Sequence, residues 1–572
     1  MLNASFGAVG VLAVAAGTSV SLAQILEPLD DFGPKPRDPS PLVRDAADDP
    51  LPLDLVRILR SGQVETQAND GPPGTPGGLG AALARQTFGV DGSGVTIAVI
   101  SDSFDALGGA AAGAAAGELP AVTVLNDDFD PLSTDEGRAL IEIIHDVAPG
   151  ADIIFHSAFN NPVTGLQEDS LAFAIDACVA AGADVIIDDI GFLFTPLFAD
   201  GSASDAIERA ELAGVTYVSA AGNAGSNATF DEISFTFDPN LSRDVFDRSL
   251  EIEVLPGRTA TVLVQWAQTG QSSMISSIDI DAFLFDSATG QAVDASGFPQ
   301  PAAIPVEAVQ VTNQFSFVRE YTVELRRFTG PNSGGVLRMV VLNGAISSTI
   351  NTAGVELDPF SIFGHPLSDA AITVGFQNFD EPSVSLFSSI GAASSGVMKP
   401  DVTATGNANN SFFGRDTQAD PDTAPNFPGS SPAAAAAAGV AALALELAER
   451  NGVDLPPGDL RRALACTSSN GQGSSMQDEF RDDSGFGLIE AVPLLAFVDR
   501  DTQSPVDFDG SGVVNISDLF AFISAFTAPP LGAPTTLPEG LCGRNVVDID
   551  RDGTVNISDL FAYIELYLDT VN

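Results

Sequence analysis

Short apolar runs recur along this chain at the spacing of a strand–helix–strand unit, and they limit its fold more than any other feature. Val95-Thr96-Ile97-Ala98-Val99-Ile100 is continuous rather than alternating, the texture of a strand covered on both faces. Similar runs follow at 153–155, 185–187, 215–220 and 371–374, with helical patterns between them at 140–147 and 171–180. Alternation of this kind predicts an α/β domain built on a mainly parallel sheet. From about 230 to 350 the texture changes. Strand-like runs at 250–255, 260–266, 278–285, 315–325 and 336–342 are separated by Gly, Pro, Asn and Ser turns, without helical period. That segment reads as a β-sandwich inserted into the α/β domain, which resumes near 365 and continues to about 498.

The flanks read differently. Residues 5–23 are small and apolar and end in Ser21-Leu22-Ala23, so they fit a secretory signal, although no Lys or Arg precedes the stretch. Residues 24–80, rich in Pro, Asp and Gly, read as a linker or reduced pro-segment. No later run approaches the ~18 apolar residues a membrane span needs, so a secreted, soluble product is expected, free or attached to a cell surface. The net charge is −52 and the only lysines are Lys35 and Lys399, a balance that excludes nucleic acid as a partner. Three cysteines, Cys178, Cys466 and Cys542, allow one disulfide at most and form no framework.

Chemistry enters at Gly429-Ser430-Ser431-Pro432, which runs into an alanine-rich helix. A serine there stands where backbone N–H groups and the helix dipole stabilise an oxyanion, or else simply caps the helix. Other segments precede it in order: Ser101-Asp102-Ser103 after the first strand, Asp135-Glu136-Gly137-Arg138, Val147-Ala148-Pro149-Gly150-Ala151, Ser219-Ala220-Ala221-Gly222-Asn223, Phe387-Ser388-Ser389 and Lys399-Pro400-Asp401. Together they resemble the subtilase superfamily of serine peptidases over about residues 85–225 and 355–498. The resemblance implies that Ser431 is the nucleophile, that Asn223 supplies an amide to the oxyanion hole, and that Asp102 is the family's acid. Pro432 stands where the family has a small residue, at the first helical turn, where proline is tolerated.

The base departs from subtilisins, which carry His-Gly-Thr where this chain has Glu136-Gly137-Arg138. Its histidines are His145, His156 and His365; His145 lies nine residues farther along the same helix, about 13 Å away. Glu136 is therefore the expected base. Sedolisins also use glutamate, but with an aspartate four residues on, where this chain has Leu140, and an aspartate in place of Asn223. The pattern resembles a sedolisin-like subset of bacterial subtilases. Glutamate titrates near ~4.3 and histidine near ~6.5, and two carboxylates in contact bond only while they share a proton. Acidic-pH activity, with Asp102 and Glu136 titrating as a pair, follows as an expectation.

Asp188-Asp189, with Gly191 just beyond, ends the 185–187 run, where subtilases line the substrate cleft. Asp189 and Gly191 are thus expected to bind substrate; a second buried acid and a solvated loop charge are the other readings of Asp189. Within the insertion, Asp279, Asp281 and Asp286 punctuate an apolar strand before Thr289-Gly290, similar to small jelly-roll domains of secreted bacterial peptidases; they read as a solvated strand face, with calcium binding as the other reading. The tail is an internal repeat: Asn515-Ile516-Ser517-Asp518-Leu519-Phe520-Ala521 recurs from Asn556 at an offset of 41 (556 − 515). Asp507, Asp509, Ser511, Asn515 and Asp518 fall at positions 1, 3, 5, 9 and 12 of a loop with Gly512 at 6; Asp548, Asp550, Asp552, Asn556 and Asp559 repeat this around Gly553. Such spacing wraps oxygens around Ca2+, and the Asn-x-x-Asp-Leu ending resembles dockerins, which implies a cohesin-like or cell-surface partner.

The expected domains are a signal peptide (1–23), the linker or pro-segment (24–80), a subtilisin-like peptidase domain (81–498) with its β insertion (230–350), and a small all-α dockerin-like tail (503–572). The expected function is a secreted serine endopeptidase acting on proteins or peptides. A catalytically inactive binding or surface-assembly module is the alternative.

Overall fold

The computed structural model describes residues 78–129, 133–159, 167–192, 200–225, 229–233, 237–238, 245–246, 250–267, 278–297, 305–331, 334–342, 344–346, 360–379, 383–391, 397–416, 423–469, 480–502, 516–527, 560–564 and 567–568. Strands β1 (Thr96–Ser101), β2 (Val122–Asn126), β3 (Asp152–Ser157), β4 (Val185–Asp188), β5 (Thr216–Ala220), β6 (Ala371–Asn378) and β7 (Val402–Gly406) form one seven-stranded sheet. Its order is β7-β6-β5-β4-β1-β3-β2, and every adjacent pair is parallel. The mainly parallel sheet read from the apolar runs is therefore present. β2, outside the runs singled out above although Val122, Val124 and Leu125 are apolar, lies at the sheet's edge with Thr123, Val124 and Leu125 exposed.

Of helices α1 (Ala81–Phe88), α2 (Ala110–Ala116), α3 (Glu136–Val147), α4 (Gln167–Ala180), α5 (Ser202–Leu212) and α6 (Ser430–Arg450), the last four pack on the sheet, and α1 packs against α6. Alternate residues of β1 face opposite layers: Ile97 and Val99 pack with α3 and α6, Ala98 and Ile100 with α4 and α5. Burial on both sides is what made β1 read as a continuous apolar run. α6 is 21 residues long and apolar enough to cross a membrane by length and composition, which the chain's run pattern did not suggest; it is nevertheless a buried core helix. Its alanines keep it thin. At Gly439 an added Cβ would lie 2.7 Å from Val147 Cγ1, so glycine there sets the close approach of α6 to α3.

Between β5 and β6 lie two antiparallel sheets. One orders Val306–Thr312, Thr259–Trp266, Val336–Leu342 and Thr229–Ile233. The other runs Ala292–Ser296, Asp279–Asp286, Arg319–Thr329, Val245–Phe246 and Phe237–Asp238, with Leu250–Val254 also paired to Arg319–Thr329. Val262, Trp266, Ile280, Leu284 and Val323 share a buried cluster distinct from those of the parallel sheet. The strand expected from 315 begins instead at Arg319. Asn313 stops it earlier: its Oδ1 accepts the Phe315 N–H at 2.9 Å and its Nδ2 donates to Phe317 O at 2.9 Å, closing a turn.

Helices α7 (Pro457–Thr467), α8 (Ala491–Thr502) and α9 (Ile516–Thr527) complete the described C-terminal part. Cys178 is a free buried thiol and Cys466 is disulfide-bonded. The signal, nearly all of the linker and the acidic loops at 507–515 and 548–559 lie outside the described residues.

Candidate active site

Asp102 follows β1, Asp189 follows β4 and Asn223 lies just beyond β5. These strands are consecutive in the sheet and parallel, so all three residues stand at one carboxyl edge, the usual place for a site in an open α/β sheet. With strands ~4.8 Å apart, the edge between Asp102 and Asn223 spans roughly 10 Å, with Asp189 between them.

Glu136 opens α3 and has no exposed surface. Asp135 precedes it in a left-handed conformation (φ 59°) and gives the helix no side-chain cap. Asp102 caps it from β1: Oδ1 accepts the N–H of Glu136 at 3.0 Å, and Oδ2 accepts the N–H and hydroxyl of Thr134 at 2.6 and 2.7 Å. Ser103 N–H also donates to Asp102 Oδ1. Burial raises the Asp102 pKa above the ordinary carboxylate range against the pull of these donors. Gly137 brings α3 down onto the sheet: an added Cβ would lie 2.4 Å from Phe155 Cε2 and 2.8 Å from Ser103 O.

The serine turn before α6 is held in place by the end of β5. Gly429, at φ 113°, precedes α6, and an added Cβ there would lie 2.7 Å from Asn223 Nδ2. Asn223 Oδ1 accepts the Ser430 N–H at 2.8 Å, and the Ser430 hydroxyl accepts the Gly222 N–H at 3.0 Å. Ser430 is thus engaged in holding β5's end to α6. Ser431, one residue on, is fully buried and its Oγ has no hydrogen-bond partner. It makes no cap, so the capping reading of the serine turn does not describe this residue. Pro432 occupies the first turn, where its missing N–H leaves no helical bond unmade.

Asp189 is also fully buried, which removes the solvated-charge reading. Its polar side-chain neighbours are the Glu136 carboxyl and the Ser101 hydroxyl, yet neither Asp189 oxygen accepts a hydrogen bond from a fixed donor. Burial pushes its pKa up to about 7. Gly191 lies two residues beyond, half-buried. The histidines sit elsewhere. His145 is in the last turn of α3, and His156 Nδ1 meets Ser157 O at 2.7 Å within β3. His365 Nε2 lies 2.9 Å from Asp188 Oδ1 and 3.4 Å from Ser219 Oγ. Thr134, Gly137 and Gly429 carry the site's geometry, and of these Thr134 had no signal in the sequence.

The subtilase family model matches residues 335–487. That segment contains β6, β7 and Ser431, while Asp102, Glu136, Asp189 and Asn223 lie before it. The seven-stranded parallel sheet is consistent with a subtilisin-like fold. Similar solved structures include the CspB protease of Clostridium perfringens (14% identity, 74% of this chain and 98% of that one, TM-score 0.48). MycP1 with its N-terminal propeptide removed matches at 17% identity, over 74% and 97% of the two chains, with TM-score 0.37. The prenylagaramide maturation protease PagA matches at 14% identity, over 73% and 98%, with TM-score 0.38. No curated protein matches the chain.

Among the described residues no cluster of three or more His, Cys, Asp or Glu side chains is placed to hold a metal. Asp279 and Asp286 of the insertion are buried rather than on a solvated strand face, and Asp286 is paired with Arg319 at 2.6 Å.

Proposed function

We propose that this chain is an exported serine endopeptidase of the subtilase kind, with the glutamate base of a sedolisin-like subset and activity at acidic pH. One observation carries the reading: the Ser431 hydroxyl is unengaged at the start of α6, while Ser430 and Asn223 hold that start rigidly in place. In the reaction Glu136 takes the Ser431 proton as Oγ bonds to the peptide carbonyl carbon. The carbonyl electron pair moves to the oxygen, which the Asn223 amide and the N-terminal end of α6 stabilise. Glu136 then returns the proton to the departing amine, leaving an acyl-enzyme that water hydrolyses by the same base. No bond joins Ser431 to Glu136 before substrate binds; such bonds commonly tighten only in the complex. Asp189 and Gly191 are proposed to form the inner wall of the substrate cleft.

The two antiparallel sheets are proposed to be a jelly-roll-like sandwich that restricts access to the cleft. The two acidic tail loops are proposed to bind Ca2+. α9 starts at Ile516, which puts Asp518 in its first turn, as the twelfth position of a calcium loop requires. Phe522 and Tyr563 occupy equivalent places in the two repeats (563 − 522 = 41) and stack at 3.9 Å, 3° from parallel. Phe520 and Phe561, also equivalent, are 65% and 64% exposed, which supports a docking role for the tail toward a cohesin-like or cell-surface partner.

The test is hydrolysis of denatured casein from pH 3 to 9. Ser431→Ala and Glu136→Gln should each lose at least ~10²-fold. A second reading, a non-catalytic binding module, is favoured by the complete burial of both Ser431 and Glu136. Absence of serine-dependent cleavage across that range decides for it.

A further inference from the structure

Asp102 and Asp189 flank Glu136, and they differ in what they are given. Asp102 accepts bonds from Ser103, Thr134 and the Glu136 N–H. Asp189 faces the Glu136 carboxyl, and neither of its oxygens accepts a bond from a fixed donor. Two carboxyls in contact attract only when one carries a proton; otherwise two charges are buried side by side. We propose that Asp189 is the positioning residue of the base: its protonated carboxyl donates a hydrogen bond to the Glu136 carboxylate, and the pair holds one proton between them. This rests on the peptidase reading and moves the proton-sharing partner from Asp102 to Asp189. The shared proton holds the Glu136 side chain in one orientation and leaves its second oxygen ionised to accept the proton of Ser431.

The surroundings agree. The groups facing Asp189 are Glu136 from α3 and Ser101 and Asp102 from the end of β1, with the charge of Asp188, its neighbour in sequence, acting from the other side of the sheet. Ser101 is neutral, and the Asp102 and Asp188 charges act with burial to keep the proton on Asp189. α6, which packs on β4, β5 and β1, begins with the neutral side chains of Ser430, Ser431 and Pro432. Arg138, the cation on the first turn of α3, is committed to Asp135 at 2.8 Å. With its pKa at about 7, Asp189 remains a donor through the acidic range and becomes a second buried anion above it.

The experiment compares pH–rate profiles of wild type, Asp189→Asn and Asp189→Leu on denatured casein. Wild-type activity should fall as pH rises through about 7, the range in which Asp189 loses its proton. Asparagine keeps a donor at every pH, so Asp189→Asn should retain activity within about 10-fold of wild type at acidic pH and lose the alkaline decline. Leucine, with no donor, should cost about 10²-fold throughout. A residue that only fills space would leave the alkaline limb where wild type has it, and that result overturns the proposal.

A second measurement leaves Asp189 unmutated. In Ser431→Ala protein at pH 6, infrared spectroscopy should show a protonated buried carboxyl that Glu136→Gln removes, because the glutamine amide donates to Asp189 and favours its anion. Glu142, also raised to about 7 but bonded to Ser411, serves as the band that stays. If Glu136→Gln leaves every such band in place, proton sharing is excluded. Wild type inert at every pH overturns the peptidase reading and the positioning role with it, whereas an active wild type with an unmoved limb in Asp189→Asn overturns the positioning role alone.

Discussion

Asp188 and Asp189 are consecutive, both fully buried, and they meet opposite fates at the end of β4. On one side of the sheet Asp188 Oδ1 accepts the Ile190 N–H at 3.0 Å and lies 2.9 Å from His365 Nε2. On the other, Asp189 has only the Ser101 hydroxyl beside it as a donor group and faces a second acid. Strand geometry turns successive side chains to opposite faces, so one residue step separates an acid bonded to a histidine from one set against the Glu136 carboxyl. A buried acid is informative through its partner more than through its burial.

Substitutions on the two sides should separate along that line. The largest effect is expected at the site: Ser431→Ala should abolish casein hydrolysis with the melting temperature within a few degrees of wild type. Loss of fold in parallel with activity would blur the distinction between the two sides. Next, His365→Leu removes the partner of Asp188 and should cost about 3 kcal/mol in urea unfolding. Its folded fraction should keep the wild-type pH profile, and a shifted profile would place His365 in the catalytic machinery.

Gly137→Ala should cost about 1–3 kcal/mol, since its Cβ meets Phe155 and the Ser103 carbonyl, and should lower kcat by moving Glu136. Thermal melts with initial rates measure both; an unchanged kcat would mean that α3's approach does not set the base. Smaller again, Thr134→Val removes one donor to Asp102 and should cost about 1 kcal/mol.

The mildest test exploits linkage. Because the folded-state pKa of Asp189 lies above its unfolded value, native protein binds the extra proton between the two, and stability falls as pH rises through that window toward about 7. Asp189→Asn should therefore melt a few degrees above wild type at pH 8 and lose that advantage near pH 4. Equal melting curves at both pH values would contradict a costly buried charge at this position.

Much of this was legible beforehand, for identifiable reasons. β1, β3, β4, β5 and β6 announced themselves because helices cover both faces and leave no polar position to interrupt the apolar run. β2 and β7 are not among those runs, although β2 reads Val-Thr-Val-Leu and β7 is fully buried, and the strand at Arg319 starts later than its pattern predicts because an asparagine side chain closes the preceding turn. At the site, Ser431, Asn223, Asp102 and Glu136 could be singled out because each falls in a short segment whose residue types and order are characteristic. Asp189 stayed among three readings, since a local pattern cannot say which face of a strand end meets which helix.

Sequence alone determined the α/β alternation, the antiparallel character of the inserted segment and the duplicated acidic tail, because each is written in local periodicity or spacing. Only the tertiary structure decided that Ser430 is engaged and Ser431 is not, that Asp102 caps α3, and that Asp189 faces Glu136. Those are contacts between residues tens to hundreds of positions apart, and they exist only once a parallel sheet has brought the ends of β5, β4 and β1 to one edge.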